Sequence, residues 1–268
     1  MKKVFFREKS RTILNRIKHK GIILLIGILC FGIPACATIT QEMVQKNLSV
    51  VIPEGAGKFP VVIFYQGTGG DTRRAEIWAS WFKTVGVASA IVDNARIRNR
   101  KRNPSRSMYT EDAAFAWDLL KTNPKIDTSR FALMGFSRGG QQALEAARHF
   151  KGDKRAVPSF VFALYPGGWG RNKCRSTHRN PTEVHIFYGD LDDVNKYEGT
   201  NRACQNLAKW RDNVEFHELR GATHAYDDFY VFTFHCCGNQ PVHVVPNPEA
   251  VNRTKAIIKK AIKAGWNL

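Results

Sequence analysis

The sequence predicts an α/β fold, in which a mostly parallel central sheet carries helices on both faces. Short apolar runs alternate along the chain with longer segments whose apolar residues recur at helical spacing, and this alternation favours parallel pairing of the strands. Several runs are uninterrupted and end at glycine, which is typical of strands buried on both faces. The run from Pro60 to Tyr65, followed by Gln66-Gly-Thr-Gly-Gly70, shows this pattern.

The strands and helices follow from these patterns in chain order. The predicted strands cover residues 49–52, 60–65, 87–92, 130–135, 160–165, 184–188 and 214–219. The predicted helices cover residues 73–85, 111–120, 138–150, 199–211 and 248–264. In the first helix Ile77, Trp78, Trp81 and Phe82 recur at helical spacing, and Pro248 suits the first turn of the last one.

The composition is that of a folded domain. The chain has 268 residues, of which 43% are hydrophobic, and this is enough apolar material to form a core and to exclude a disordered chain. No apolar run reaches the ~18 residues that a membrane span needs, which excludes a multi-span membrane protein. We therefore expect a linker over residues 37–47 and a single domain over residues 48–268.

Residues 1–36 have the composition of an export signal. Eight Lys and Arg residues against one Glu lie within residues 2–20, an uncharged apolar segment covers residues 21–33, and Pro-Ala-Cys-Ala follows. A basic region, an apolar region and small residues at a cleavage site define a secretory signal peptide. We therefore expect an exported protein that is periplasmic, secreted or lipid-anchored to a bacterial membrane.

Two processing routes remain open for this segment. Ala35-Cys36-Ala37 fits ordinary release, whereas Ile33-Pro34-Ala35-Cys36 is similar to a lipobox in which Cys36 becomes lipidated. An uncleaved anchor is disfavoured because thirteen apolar residues are short for a membrane span. Removal of the signal lowers the formal net charge of the chain from +18 to +11.

Four cysteines remain after the signal: Cys174, Cys204, Cys236 and Cys237. An even number in an oxidising compartment predicts disulfides. Four cysteines allow three pairings, one of which joins the adjacent Cys236 and Cys237 in a strained bond. None of the spacings is the C-x-x-C of a zinc site. The sequence predicts neither a metal site nor a cofactor.

The segment Gly135-Phe-Ser-Arg-Gly139 fits the pattern G-x-S-x-G and lies between a predicted strand and a predicted helix. In that context the glycines permit a sharp turn that exposes Ser137 as a nucleophile. The amide of Arg138 would lie at the helix N-terminus, where partial positive charge stabilises an oxyanion. The alternative is an ordinary glycine-rich junction with a hydrophilic serine.

A serine nucleophile needs a base and an orienting acid, and in this architecture the chain order is Ser, acid, His. His224 follows a predicted strand, so it should lie with Ser137 at the carboxyl edge of the sheet. Its competitors are His178, His185, His217, His235 and His243. Two of these lie within strand patterns, and two lie in a tail with no strand before it. The candidates for the acid are Asp190, Asp192, Asp193 and Asp227.

These segments together resemble the dienelactone hydrolase family of the α/β-hydrolase superfamily, in a secreted branch with a serine nucleophile. The matching segments cover residues 135–140, 164–167, 189–193 and 220–227, and the resemblance spans residues 60–265. It implies an α/β-hydrolase fold and a serine hydrolase of small-molecule carboxylic esters, with Asp192 as the acid and His224 as the base. Members that cleave dienelactone use Cys as nucleophile, so Ser137 favours general ester hydrolysis.

The resemblance also implies roles for residues outside the triad. In the family the loop after an early strand supplies the second oxyanion donor, which here is the amide of Gly67 or Thr68. The family often has His-Gly at this point, where this chain has Gln66-Gly67. Secreted relatives carry cysteines in places similar to those of Cys174 and Cys204, which implies a disulfide between the two.

A basic cluster lies in residues 94–107, a predicted loop that follows a strand and should rim the active-site edge. It consists of Arg96, Arg98, Arg100, Lys101, Arg102 and Arg106. One hypothesis is that this rim captures an anionic substrate or an anionic envelope surface, and the other is that the loop is merely solvated. No nucleic-acid partner is expected because the cluster lacks interleaved aromatic residues.

Three classes of function follow from these observations. The leading hypothesis is an exported serine ester hydrolase that works through Ser137, His224 and Asp192. The second is a non-catalytic envelope-associated binding protein on a hydrolase fold. The third is a peptidase or acyltransferase that uses the same triad. Neither the substrate nor the oligomeric state is indicated by the sequence.

Overall fold

The computed structural model describes residues 39–97, 106–152, 157–167, 181–198, 212–236 and 238–268. The strands within these residues are β1 (Leu48–Val51), β2 (Phe59–Tyr65), β3 (Ala88–Val92), β4 (Ile126–Phe136), β5 (Phe160–Leu164), β6 (Glu183–Gly189), β7 (Val214–Leu219), β8 (Phe232–Cys236) and β9 (Gln240–Val244). The helices are α1 (Gln41–Gln45), α2 (Arg73–Thr84), α3 (Asn94–Ile97), α4 (Arg106–Leu120), α5 (Arg138–Gly152), α6 (Asp193–Glu198) and α7 (Pro248–Trp266).

The strands β1 to β7 form one sheet in the order β1, β3, β2, β4, β5, β6, β7. β1 is antiparallel to β3, and every other neighbouring pair is parallel. The carboxyl ends of the parallel strands meet at one edge, where the loops that follow them come together. β8 and β9 form a separate antiparallel hairpin. The predicted α/β class, with a mostly parallel sheet, is confirmed.

An apolar layer covers each face of the sheet, and this explains the uninterrupted apolar runs in the sequence. In β2, Val61 and Ile63 belong to one layer, whereas Val62 and Phe64 belong to the other. All four side chains are at most 1% exposed. Helices α4 and α5 contribute to the first layer, and α2 and α7 contribute to the second. Each such burial stabilises the fold by about 1.5–3 kcal/mol.

The bounds of α7 follow from local signals in the sequence. The Asn247 side chain caps the helix by accepting a hydrogen bond from the Ala250 amide at 3.0 Å, and Pro248 occupies the first turn. Its buried side chains recur at helical spacing: Ala250, Thr254, Ile258, Ile262 and Trp266. The helix therefore presents one apolar face to the sheet.

The structure differs from the predicted elements at three places. Residues 94–107 are not a continuous loop, because α3 occupies their start and α4 begins at Arg106. α6 forms directly after the loop that follows β6. The hairpin of β8 and β9 forms in the segment predicted to be a tail, where Val242 and Val244 are fully buried. The predicted helix at residues 199–211 lies outside the described residues.

The segment expected to be a linker, residues 37–47, includes the start of the described unit. Residues 39–268 form one compact unit, and Ile39 and Val44 are buried in its core. Thr40 Oγ1 caps α1 by accepting from the Met43 amide at 3.2 Å. None of the helices in the described residues is both long and apolar enough to cross a membrane. The expected signal peptide, with Cys36, lies outside the described residues.

Candidate active site

Ser137 lies in a sharp turn between the end of β4 and the start of α5. Its φ of 51° is in the left-handed region, which residues other than glycine rarely adopt. A Cβ at Gly135 would lie 2.1 Å from the carbonyl oxygen of Gly139, and a Cβ at Gly139 would lie 2.3 Å from that of Tyr65. Both glycines of the motif are therefore required by close backbone approach, as the pattern G-x-S-x-G predicts.

His224 and Asp192 complete a chain of hydrogen bonds with Ser137. His224 Nε2 lies 2.9 Å from Ser137 Oγ, and His224 Nδ1 lies 3.0 Å from each carboxylate oxygen of Asp192. Asp192 and His224 are only 3% and 2% exposed. Because Nδ1 faces a carboxylate, the proton belongs on Nδ1, and the lone pair of Nε2 then faces the serine hydroxyl.

Each of these three side chains follows a different parallel strand, because β4 leads to the serine, β6 to the aspartate and β7 to the histidine. The loops after β6 and β7 touch, since a Cβ at Gly189 would lie 1.9 Å from the carbonyl oxygen of Ala222. Asn195 holds the carboxylate of Asp192 through its side-chain Nδ2 at 2.7 Å and its amide at 3.2 Å. Asp192 is thus held in place by the first turn of α6, the helix that follows it.

The other candidate acids have different partners. Asp190 accepts a hydrogen bond from an amide in the loop after β7 at 2.7 Å. Asp193 Oδ2 lies 3.0 Å from His243 Nδ1. Asp227 accepts from two buried aromatic residues. Of these four carboxylates, that of Asp192 contacts His224.

The other candidate histidines lie elsewhere. His185 and His217 lie side by side in β6 and β7, with their facing ring nitrogens 3.0 Å apart. His235 and His243 lie in β8 and β9, so the prediction that both belong to a tail without strands is wrong. His235 lines the cleft at the nucleophile. His178 lies outside the described residues.

The backbone amides predicted to hold an oxyanion adjoin the nucleophile. A Cβ at Gly67 would lie 3.8 Å from Ser137 Cβ, and both Gly67 and Thr68 line the cleft. Arg138 is the first residue of α5, so its amide lies at the helix N-terminus, where the helix dipole carries partial positive charge. The loop after β2 and the N-terminus of α5 therefore bring amide groups to the same place.

Gln66 anchors the loop after β2. Its Nε2 donates to the carbonyl oxygen of Val92 at the end of β3, and its Oε1 accepts from the Asn94 amide at 3.3 Å. Gln66 is 4% exposed. Gln66 lies where the family often has histidine. Its side chain thus connects the end of β2 to the end of β3.

A buried polar network, which no sequence pattern indicated, lies against His224. The ring of Tyr165 contacts the imidazole of His224 edge to face, with centroids 4.9 Å apart. The Tyr165 hydroxyl donates to Asp227 Oδ1 at 2.6 Å, and Trp78 Nε1 donates to Asp227 Oδ2 at 2.8 Å. Arg74 Nε lies 3.3 Å from the same carboxylate. Asp227 therefore organises the back of the site.

Arg74 belongs to this network and also lines the cleft. Its guanidinium also pairs with Asp228 and lies 5.9 Å from the ring centroid of Phe136. Burial opposes the charge of Arg74, but the groups around it, first Tyr165 and then Asp227 and Asp228, raise its pKa above the usual value. Burial also raises the pKa of Tyr165 well above its usual value, so its hydroxyl remains a donor.

A cleft of about 730 Å³ opens over Ser137 and His224. One wall comes from the segment that follows the base and is aromatic. Its members are Phe229, Tyr230, Phe232 and Phe234. Phe229 and Tyr230 are 56% and 66% exposed. Ser137 thus lies beside a large apolar surface that is open to solvent.

The remaining predicted sites are described only in part. Arg96 is exposed in α3, and its amide donates to Asp93 Oδ1 at 2.9 Å. Within the described residues Cys236 is a free thiol at the cleft. The other predicted positions lie outside the described residues: Arg98, Arg100, Arg102, Cys174, Cys204 and Cys237.

The chain matches the model of a known protein family over the residues that form this site. The model of the dienelactone hydrolase family matches residues 49–230, a range that contains Ser137, Asp192 and His224. A search of curated proteins found no significant match.

Many solved structures have a similar fold. A dienelactone hydrolase-like promiscuous phosphotriesterase from metagenomic libraries is 19% identical, with a TM-score of 0.61 over 79% of this chain and 88% of its own. A dienelactone hydrolase from Anabaena variabilis is 15% identical, with a TM-score of 0.58 over 81% and 91%. Est1E from Butyrivibrio proteoclasticus, with ferulic acid bound, is 15% identical, with a TM-score of 0.57 over 83% and 96%.

Proposed function

The chain belongs to the dienelactone hydrolase family and is a carboxylic ester hydrolase, and from this premise we propose that it cleaves esters through an acyl-enzyme on Ser137. The observation that carries the proposal is the hydrogen-bonded chain from Ser137 Oγ through His224 to Asp192, with separations of 2.9 and 3.0 Å. A serine hydroxyl is a weak nucleophile until a base removes its proton, and this chain supplies the base in the required tautomer.

Acylation begins when Ser137 Oγ attacks the ester carbonyl carbon while its proton moves to His224 Nε2. Asp192 stabilises the imidazolium that forms and holds the ring in place. The carbonyl oxygen becomes an oxyanion, which the amides of Arg138 and of Gly67 or Thr68 stabilise. When the tetrahedral intermediate collapses, the bond to the alkoxy oxygen breaks, and His224 gives its proton to the departing alcohol.

Deacylation repeats these steps with water as the nucleophile. His224, now neutral, takes a proton from a water molecule as it attacks the acyl carbon. The second tetrahedral intermediate releases the carboxylic acid, and the proton returns to Ser137 Oγ. One ester and one water are thus converted into one acid and one alcohol, and the enzyme is regenerated without a redox step.

The covalent route predicts a detectable acyl-enzyme. Nitrophenyl acetate is expected to acetylate the enzyme faster than water removes the acetyl group, because nitrophenolate is a good leaving group. Stopped-flow absorbance should show a burst of nitrophenol close to the enzyme concentration, and acid-quenched samples should show one acetyl group on the peptide that contains Ser137. Turnover without an acylated peptide at any quench time would contradict the covalent route.

We further propose that the ester carries an aromatic acyl or alcohol group. The aromatic wall of the cleft, Phe229, Tyr230, Phe232 and Phe234, supports this, because solvent-accessible aromatic side chains beside Ser137 offer stacking surfaces for a flat ring, and Phe229 and Tyr230 are more than half exposed. The ferulic acid bound to Est1E is a ligand of this chemical class.

This substrate class predicts a selective effect of Tyr230→Ala. The variant is expected to raise KM for an aryl ester by about 5- to 20-fold with kcat little changed, because roughly 1–2 kcal/mol of ring contact is lost. KM for a small aliphatic ester should stay within about twofold. Val50→Ala, which truncates an exposed apolar side chain of β1 that is not among the residues lining the cleft, is the control. Equal changes for aryl and aliphatic esters would count against an aromatic subsite.

A further inference from the structure

A cluster of two histidines and two glutamates, the β6–β7 cluster, lies on the last two strands of the sheet. Its members are Glu183, His185, Glu215 and His217. His185 Nδ1 lies 3.0 Å from His217 Nε2 and 3.8 Å from Glu215 Oε2. The remaining pair, His217 Nε2 and Glu215 Oε2, is 3.5 Å apart. Three atoms of the kinds that bind transition metals therefore face one another.

These separations fit a metal ion. Three atoms at such distances all lie about 2.0 Å from one common centre, and zinc-to-nitrogen and zinc-to-oxygen bonds in proteins are about 2.0–2.2 Å. We propose that His185, Glu215 and His217 bind a divalent transition-metal ion, with Zn²⁺ as its representative. Two imidazoles and one carboxylate leave a fourth tetrahedral position for water.

Glu183 selects the tautomer that this binding needs. Its Oε1 lies 2.8 Å from His185 Nε2, and a carboxylate at that distance requires the proton to be on Nε2. The lone pair of His185 is then on Nδ1, the atom that faces Glu215 and His217. Carboxylates that fix a metal-binding histidine in this way recur around protein metal sites. Without an ion, the Nε2–H of His217 donates to the Nδ1 lone pair.

The charges around the cluster suit a divalent cation. Glu183 and Glu215 supply two carboxylates, against the positive charge of Arg253 in α7 that acts on His217. The side chain of Glu215 is 56% exposed and that of His217 is 14% exposed, which gives an ion access from solvent.

The position of the cluster gives a bound ion a mechanical role. Among the residues that the structure describes, β7 is an edge strand whose partner in the sheet is β6. An ion held by His185 of β6 and by Glu215 and His217 of β7 would cross-link these strands. β6 leads to Asp192 and β7 leads to His224, so the cross-link would stabilise the strands that carry the acid and the base.

Zinc binding by the full chain tests the site. Protein stripped with a chelator and then dialysed is titrated with Zn²⁺ against a chromophoric chelator, and Co²⁺ is used to record the visible spectrum of the bound ion. We expect one ion per chain at this site, a tetrahedral Co²⁺ spectrum, and a rise of several degrees in the thermal midpoint. His217→Gln should weaken zinc binding by about 100-fold, and Glu215→Gln and Glu183→Gln by about 10-fold each.

Two control variants distinguish zinc binding at this cluster from zinc binding at other histidines. His243→Gln removes an exposed histidine that pairs with Asp193, and His224→Gln removes the base, and both should keep wild-type zinc affinity. Glu215→Gln keeps the shape of an exposed side chain. It therefore tests the site even if a variant at a buried position of the cluster unfolds. Wild-type protein that binds no zinc at micromolar concentration would overturn the proposal, as would affinity unchanged by both Glu215→Gln and His217→Gln.

Discussion

Replacement of Ser137 by alanine is expected to lower kcat for a nitrophenyl ester by at least about 10⁴-fold. The variant keeps His224, Asp192 and the amides around the site but has no oxygen to attack the carbonyl carbon. Alanine at this position must still adopt a φ of 51°, so the backbone strain of the turn is unchanged in kind. Initial rates with nitrophenyl acetate, measured for both proteins at equal concentration, check the expected loss.

A fluorophosphonate probe measures the same residue without turnover. It should label the wild-type protein once and should leave the Ser137→Ala variant unlabelled, because the probe phosphorus reacts with an activated serine oxygen. Ser80→Ala is the matched control, since Ser80 Oγ is exposed and donates to the carbonyl oxygen of Glu76 at 2.9 Å. Labelling that survives in Ser137→Ala and disappears in another variant would assign the nucleophile elsewhere.

Replacement of Asp227 by alanine is expected to lower the free energy of unfolding by about 3–5 kcal/mol, although Asp227 is not part of the hydrogen-bonded triad. The change leaves Trp78 Nε1 and the Tyr165 hydroxyl without their acceptor and removes one of the two carboxylates that face Arg74. Trp78 and Tyr165 are buried, so water does not replace their lost contacts at low cost. Urea unfolding followed by tryptophan fluorescence measures the change.

An exposed ion pair provides the comparison for Asp227. Asp71 pairs with Arg73 at 2.6 Å, and both side chains are at least half exposed. Asp71→Asn should therefore change the free energy of unfolding by less than about 1 kcal/mol. If Asp227→Ala cost no more than this control, the buried network would not be a principal stabiliser of the back of the site.

The sheet was predictable because burial on both faces leaves a local signature. β2 and β5 read as unbroken apolar runs, and the structure buries every residue of β5 and all but one of β2. The turn at Ser137 was predictable for a similar reason, since the close approaches at Gly135 and Gly139 admit only glycine. Information of this kind lies within a few consecutive residues.

The hairpin of β8 and β9 left no such signature. Three of the five residues of β8 are exposed, so hydrophobic alternation is weak, and Pro241 in β9 argues against a strand. The hairpin forms because Val242 and Val244 are buried against the rest of the domain. It carries His235 and part of the aromatic wall, which is why that side of the cleft could not be read from the sequence.

The β6–β7 cluster was missed because its ligands come from two strands. Cysteine spacing does not point to it, and Glu215 and His217 are two positions apart on a single strand, a common arrangement. Only the register of the pair, in which His185 lies opposite Glu215, brings the second imidazole to them. The contacts of Arg74 and Trp78 were not predicted for the same reason, because their partner Asp227 is far along the chain.

By itself the sequence predicted the class of fold, the turn at Ser137 and the chain order of a serine, an acid and a histidine, because each is encoded by short patterns. Only the tertiary structure decided what packs behind His224 and which side chains line the cleft, and in it Asp192, the aspartate that the family resemblance implied, contacts the histidine. These contacts join residues 32, 87 and 149 positions apart, as in Asp192 with His224, Ser137 with His224, and Trp78 with Asp227. The two contacts of His224 form because parallel strands pair and their carboxyl ends meet at one edge of the sheet, and the contact of Trp78 forms because α2 packs on a face of that sheet.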